Sequence, residues 1–146
     1  MTAPSDIELF LHFGEDIPTL THQNGVKPGH ANEKSYMYKT TDLRNLERLY
    51  RSLLAGYAPE TPWNCPIELT TIWYFRRPDG NNDVFKTTKP DTDNMLKTLK
   101  DCLTKTKFWK DDSLVASEHT VKVYANPGER IGIQITIHSL EESTHE

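Results

Sequence analysis

The sequence predicts an α+β domain, a two-layer α/β sandwich in which a mixed four-stranded sheet carries two helices on one face. Three observations predict it. Stretches near residues 6–13, 67–76, 115–123 and 131–137 place apolar side chains along one face with the period of two expected of strands. Two others, near 42–54 and 93–105, repeat apolar residues at the three-to-four spacing of a helix. The resulting order β, α, β, α, β, β lets both amphipathic helices bury against the same sheet.

In the first strand, Asp6 to Phe13, Ile7, Leu9, Leu11 and Phe13 lie on one side and Glu8, Phe10 and His12 on the other. The stretch from Gly14 to Ser35 is rich in turn formers (Gly14, Pro18, Asn24-Gly25, Pro28-Gly29), which makes it a long loop or an irregular hairpin. Thr41 or Asp42 can cap a helix whose apolar positions are Leu43, Leu46, Leu49, Tyr50, Leu53 and Leu54, with Gly56 placed to end it. Pro59, Pro62 and Pro66 punctuate a linker before the strand Ile67 to Arg76, and Pro78 to Lys89 reads as a turn region. A second helix starts near Asp93 and runs to about Lys105. Val115, Val121 and Val123 mark one face of a third strand, Ile131, Ile133, Ile135 and Ile137 mark the fourth, and Asn126-Pro127-Gly128 suggests that these two form a hairpin.

At 146 residues, 36% hydrophobic and 26% charged, the chain suits a single domain over 1–146 with one core, ending in a frayed acidic tail at 141–146. No apolar run approaches the roughly 20 residues needed to cross a bilayer, and Met1 to Asp6 has no signal-peptide pattern, so a cytoplasmic protein without membrane contact is expected. Cys65 and Cys102 lack metal-ligand spacing and are expected to be reduced and buried. The net charge is −4, yet residues 27–110 hold 15 Lys/Arg against 10 Asp/Glu. A basic middle between acidic ends leaves room for a local patch that meets a polyanion.

The chemistry concentrates in Lys89-Pro90-Asp91-Thr92-Asp93-Asn94-Met95-Leu96-Lys97 through Asp101, followed by Phe108-Trp109-Lys110-Asp111-Asp112. Pro90 makes the chain arrive extended, which suits Asp93 as N-cap. Lys97 and Asp101 then fall about 40° and 80° around the helix from Asp93, on the side away from Leu96, Leu99, Cys102 and Leu103. Taken singly, these residues are accounted for by a cap, by i,i+4 ion pairs worth a few tenths of a kcal/mol, and by a polar turn. Taken together, five carboxylates on two nearby segments repel one another and call for compensation, which a divalent cation supplies. Oxygen donors without a Cys/His pattern favour Mg2+ or Mn2+ over zinc. Such a cation beside a basic surface suits phosphodiester hydrolysis, and Lys97 adds positive charge for the transition state.

Asp91-x-Asp93-Asn94-x-x-Lys97, then Asp101, then Phe108-Trp109-x-Asp111-Asp112, resembles the motif of the RusA-like Holliday junction resolvases, crossover junction endodeoxyribonucleases found largely in phages and prophages. The resemblance is dense from Asp91 to Val115. It implies a Mg2+-dependent endonuclease for which Mn2+ can substitute, with Asp91, Asp93 and Asp112 as metal ligands and Lys97 assisting at the phosphate. Asp111 is a further candidate ligand, and Asp101 a support that orients Lys97. It also implies a homodimer whose two-fold symmetry matches a four-way DNA junction. Some relatives carry consecutive arginines before the first aspartate, where this chain has Thr87-Thr88-Lys89-Pro90. Arg76, Arg77, Lys86, Lys89, Lys100, Lys105, Lys107 and Lys110 are the candidate DNA contacts.

Two other readings stay open: a DNA-binding or replication-accessory module without catalysis, and a nuclease for other branched DNA. The histidines His12, His22, His30, His119, His138 and His145 have no ligand spacing, and Trp63, Trp73 and Trp109 read as core or dimer-interface residues. There is no Gly-rich phosphate loop and no Gly-x-Ser-x-Gly elbow.

Overall fold

The computed structural model describes residues 3–18, 26–31 and 34–141. Its main sheet has four strands: β1 (Ile7–His12), β4 (Ile67–Phe75), β5 (Val115–Tyr124) and β6 (Gly132–Ser139), in the spatial order β1-β6-β4-β5. β6 runs antiparallel to both β1 and β4, whereas β4 and β5 are parallel, so the sheet is mixed as expected. A parallel pair needs a long crossover, and the helix α2 (Thr92–Lys105) supplies it. The expected hairpin between the last two strands is therefore wrong. Asn126-Pro127-Gly128 does form a turn, closed by Glu129 N donating to Asn126 O at 2.9 Å, but the strand leaving it passes to the far side of β4.

Of the alternatives for the stretch from Gly14 to Ser35, the hairpin holds but runs further than expected: β2 (Val26–Ala31) pairs antiparallel with β3 (Lys34–Lys39), which continues past Ser35, in a separate two-stranded sheet. The rest of that stretch from 19 to 25, His22 within it, and the tail from 142 to 146 lie outside the described residues.

The first helix, α1 (Thr41–Leu54), is capped by Thr40 rather than Thr41 or Asp42; the Thr40 hydroxyl accepts from Leu43 N at 3.3 Å. Gly56 does not end it in a left-handed conformation. The chain tightens instead into a 3-10 turn, Ala55–Tyr57. The cap of α2 also lies earlier than expected, at Asp91 instead of Asp93, because Asp91 is extended and its carbonyl already accepts from Met95 N at 3.1 Å.

One core joins the helices to a single sheet face. Leu46, Tyr50 and Leu54 of α1 and Met95, Leu96, Leu99, Cys102 and Leu103 of α2 meet Ile67, Leu69, Trp73 and Phe75 of β4 and Ile133, Ile135 and Ile137 of β6. Each such side chain contributes about 1.5–3 kcal/mol by leaving water. Trp63, Trp73 and Trp109 are all buried, and Cys65 and Cys102 are free thiols, both buried. Burial, reinforced by nearby Glu47, pushes the Cys102 thiol up to about 12, so it stays protonated.

β5 departs from its expected face. Val115 packs on the core beside Ile67, but the register shifts after it, so that Glu68 meets Ser117. Ala116 is the extra residue of this bulge, and it reverses the parity of everything after it. Val121 and Val123 then align with half-buried Ile72 and Tyr74, on the side opposite the helices. Glu118, Lys122 and Tyr124 align with Leu69, Trp73 and Phe75, on the helix side. No helix among the described residues is long and apolar enough to cross a membrane.

Candidate active site

The first acidic segment is the start of α2. The chain reaches it along the outer edge of β5, where Phe85 bridges Val123, Lys86 N donates to Lys122 O at 3.0 Å, and Tyr124 N donates to Val84 O at 3.0 Å. The Lys89–Pro90 peptide is cis, and Pro90 is buried. Asp91 follows at the N-cap, but its carboxylate accepts no capping hydrogen bond from the helix. Asp93 and Lys97 stand exposed and Asp101 half-exposed, while Leu96, Leu99, Cys102 and Leu103 are buried, so the helix has the two opposite sides its periodicity requires.

The second acidic segment is held from beneath. After α2 the chain reverses at Lys107, whose φ of 71° is left-handed. Phe108 and Trp109 then plunge into the core, each 0% exposed. The Trp109 indole donates to Thr104 Oγ1 at 2.7 Å. Backbone bonds tie the same turn to the linker: Trp63 N to Phe108 O and Lys110 N to Trp63 O, both 3.0 Å. Asp111 and Asp112 therefore leave from a fixed point. Asp111 Oδ1 accepts from Ser113 N at 2.9 Å, opening the 3-10 turn Asp112–Leu114, and this bond holds its carboxyl below the usual range. Asp112 is exposed.

The two segments meet at an open cavity of about 170 Å³ lined by Asp93, Leu96, Lys97, Lys100, Asp101, Asp112 and Glu118. Four carboxylates and two ammonium groups share this space. Lys100 Nζ sits 2.5 Å from Glu118 Oε2. Asp91 does not line the cavity; its charge acts instead on Lys122, which burial and neighbouring Lys86 push down and Asp91 pulls back up. Among the described residues, no three His, Cys, Asp or Glu side chains are gathered closely enough to hold a metal ion.

Sequence reasoning missed Glu118 and Lys122. Both sit on the helix side of β5 only because the bulge at Ala116 flips the strand, a feature without a side-chain pattern of its own. Of the basic candidates, Lys100 lines the cavity. Arg77 donates to Asn81 O at 2.9 Å and Asp83 O at 2.7 Å in the adjoining turn and to Asn126 Oδ1 at 3.2 Å, and lies over the Tyr124 ring. Lys86 lies over Phe75 and donates to Thr88 Oγ1, and Lys105 pairs with the buried Glu47 at 3.6 Å. Arg76, Lys89, Lys107 and Lys110 are exposed.

A family model described as endodeoxyribonuclease RusA matches residues 18–136. The chain is also similar to a crossover junction endodeoxyribonuclease rusA of Lactococcus phage r1t, at 29% identity over 125 residues, covering 84% of this chain and 92% of the relative.

Proposed function

The chain belongs to the RusA endodeoxyribonuclease family, and from that premise we propose that it is a Mg2+-dependent enzyme that resolves four-way DNA junctions by paired symmetric nicks. The observation that carries the reading is the meeting of two independently anchored acidic segments, Asp93 and Asp101 on α2 and Asp112 on its 3-10 turn, in one open cavity with Lys97.

The donor set suits a hard divalent cation, Mg2+ or Mn2+, because every candidate ligand is a carboxylate oxygen. In this reading Asp91, Asp93 and Asp112 hold it, with Asp111 as a further candidate. All four are exposed, so they can rotate toward a shared ion at little cost in packing. When bound, the cation supplies Lewis acidity toward a scissile phosphate and offsets the repulsion among the carboxylates. Lys97, on the same helix face one turn beyond Asp93, places a positive charge where the phosphate gains negative charge in the transition state. Asp101, one turn further, orients the Lys97 ammonium. Leu96 gives the cavity an apolar wall.

DNA approaches across exposed Arg76, Lys89, Lys107 and Lys110, with Lys100 at the cavity itself. A homodimer presenting two such sites about a two-fold axis fits the symmetry of a four-way junction and the need for two matched nicks. Linear, forked and four-way DNA of equal length, incubated side by side with the protein and Mg2+, test the reading. The expected result is paired nicks placed symmetrically in the junction and little cutting of linear duplex. Equal cutting of forks assigns a broader branched-DNA nuclease, and junction binding without any nick assigns an accessory module.

A further inference from the structure

Lys122 lies on β5, outside the acidic motif, and it is aimed at the segment that delivers that motif. Its ammonium donates to Thr88 O at 2.7 Å and to Pro90 O at 2.8 Å, the carbonyls on either side of Lys89. The strand bearing it is paired on its inner edge with β4, and its outer edge is bonded to residues 84–86 of the same incoming segment. The base of the side chain is thus fixed in the sheet, and its tip grips the last backbone before Asp91. Asp91 makes no side-chain capping bond of its own, and the hydrogen bond from the Lys86 ammonium goes to the Thr88 side chain, not to the backbone.

We propose that Lys122 is a positioning residue for the candidate metal ligand Asp91, clamping the 88–90 backbone to the sheet so that Asp91 can join Asp93 in holding a divalent cation. The proposal rests on the metal-ligand reading given above. Its physical basis is the charge-assisted hydrogen bond, stronger than a neutral one, made here twice to one short segment. Groups that orient ligands without touching the metal typically change metal affinity by about 10–100-fold when removed.

The test is Mn2+ binding to the free, DNA-less protein, followed by electron paramagnetic resonance, for wild type and for Asp91→Asn, Lys122→Met and Lys122→Arg, each checked for folding by circular dichroism. Asp91→Asn is expected to weaken binding strongly. Lys122→Met, though it leaves every carboxylate in place, is expected to weaken it by about tenfold, and Lys122→Arg, which can reach both carbonyls with two N–H groups, to recover most of the loss. A purely structural role lowers the melting temperature without moving the affinity of the folded protein. Should Lys122→Met fail to fold, Lys122→Gln, too short to reach both carbonyls, is measured in its place. Wild-type Mn2+ affinity in the folded Lys122 variant, with Asp91→Asn impaired, overturns the positioning role alone. Wild-type affinity in Asp91→Asn removes Asp91 from the ligand set, and the role of Lys122 falls with it.

Discussion

Asp111 and Asp112 are chain neighbours of identical chemistry in different surroundings. Asp111 commits an oxygen to the Ser113 amide, whereas Asp112 lines the cavity shared with Asp93. Replacing each by Asn separates their roles. Asp112→Asn is expected to nearly abolish junction cleavage while leaving junction binding largely intact; Asp111→Asn keeps an acceptor for the turn and is expected to retain far more activity. Equal losses would place both carboxylates in the same role. A second residue-scale expectation concerns His138, whose Nδ1 lies 2.7 Å from Asp6 Oδ1. The hydrogen bond to Asp6 raises its pKa above the ordinary histidine value. Because the folded value is the higher one, the pair's contribution to stability is complete below the unfolded histidine pKa, near 6.5, and is lost as pH rises through the folded value. An imidazole NMR titration of Asp6→Asn should show the His138 pKa falling back, and an unchanged titration would contradict the pairing. At this scale the motif residues were legible because their spacing survives in one dimension; the Asp6–His138 pair was not, since only strand register brings residues so far apart in sequence together.

The elements were legible where periodicity decides them and illegible where a single residue breaks it. β4 buries all its predicted alternate residues, β1 and β6 bury Leu9, Leu11, Ile133, Ile135 and Ile137 and leave Ile7, Phe13 and Ile131 half-buried at the core's margin, and α2 buries Leu96, Leu99, Cys102 and Leu103 as the helical period requires. β5 was misread because Ala116 shifts its register, which turns Val121 and Val123 away from the helices and Glu118 and Lys122 toward the cavity side. The order of the last strands was misread because a turn at Asn126-Pro127-Gly128 specifies a reversal, not which neighbour the next strand will choose. That choice shows at Gly132, where β6 begins opposite His12 of β1. Its φ is 156°, and a Cβ there would lie 2.0 Å from the Leu11 carbonyl oxygen and 2.6 Å from the Phe10 ring. The backbone of β1 cannot yield as a flexible side chain would. Gly132→Ala is therefore expected to cost about 2–3 kcal/mol, read as a lower midpoint in urea denaturation; a wild-type midpoint would mean that β1 and β6 are not packed this closely.

At the scale of the whole molecule, a net charge of −4 must be reconciled with a polyanionic substrate. In the proposed reading the reconciliation is local: exposed Arg76, Lys89, Lys107 and Lys110 belong to the basic middle of the chain, and Lys97 and Lys100 stand beside the carboxylates at the cavity. Junction binding should therefore weaken steeply as salt rises from about 50 to 200 mM. Ca2+ in place of Mg2+ should permit junction binding and suppress cleavage, because calcium accepts the same oxygen donors with looser geometry; a shift assay and a cleavage assay on the same samples check both. Salt-independent binding, or full cleavage in Ca2+, would count against these basic contacts and the metal assignment respectively. The central claim remains that Asp91, Asp93 and Asp112, from the two acidic segments, can share one cation. Anomalous diffraction from crystals grown with Mn2+ tests it most directly. One peak bounded by those three side chains is the expected result. Full Mn2+ loading with the peak elsewhere, or those three carboxylates turned apart with no peak between them, would contradict it.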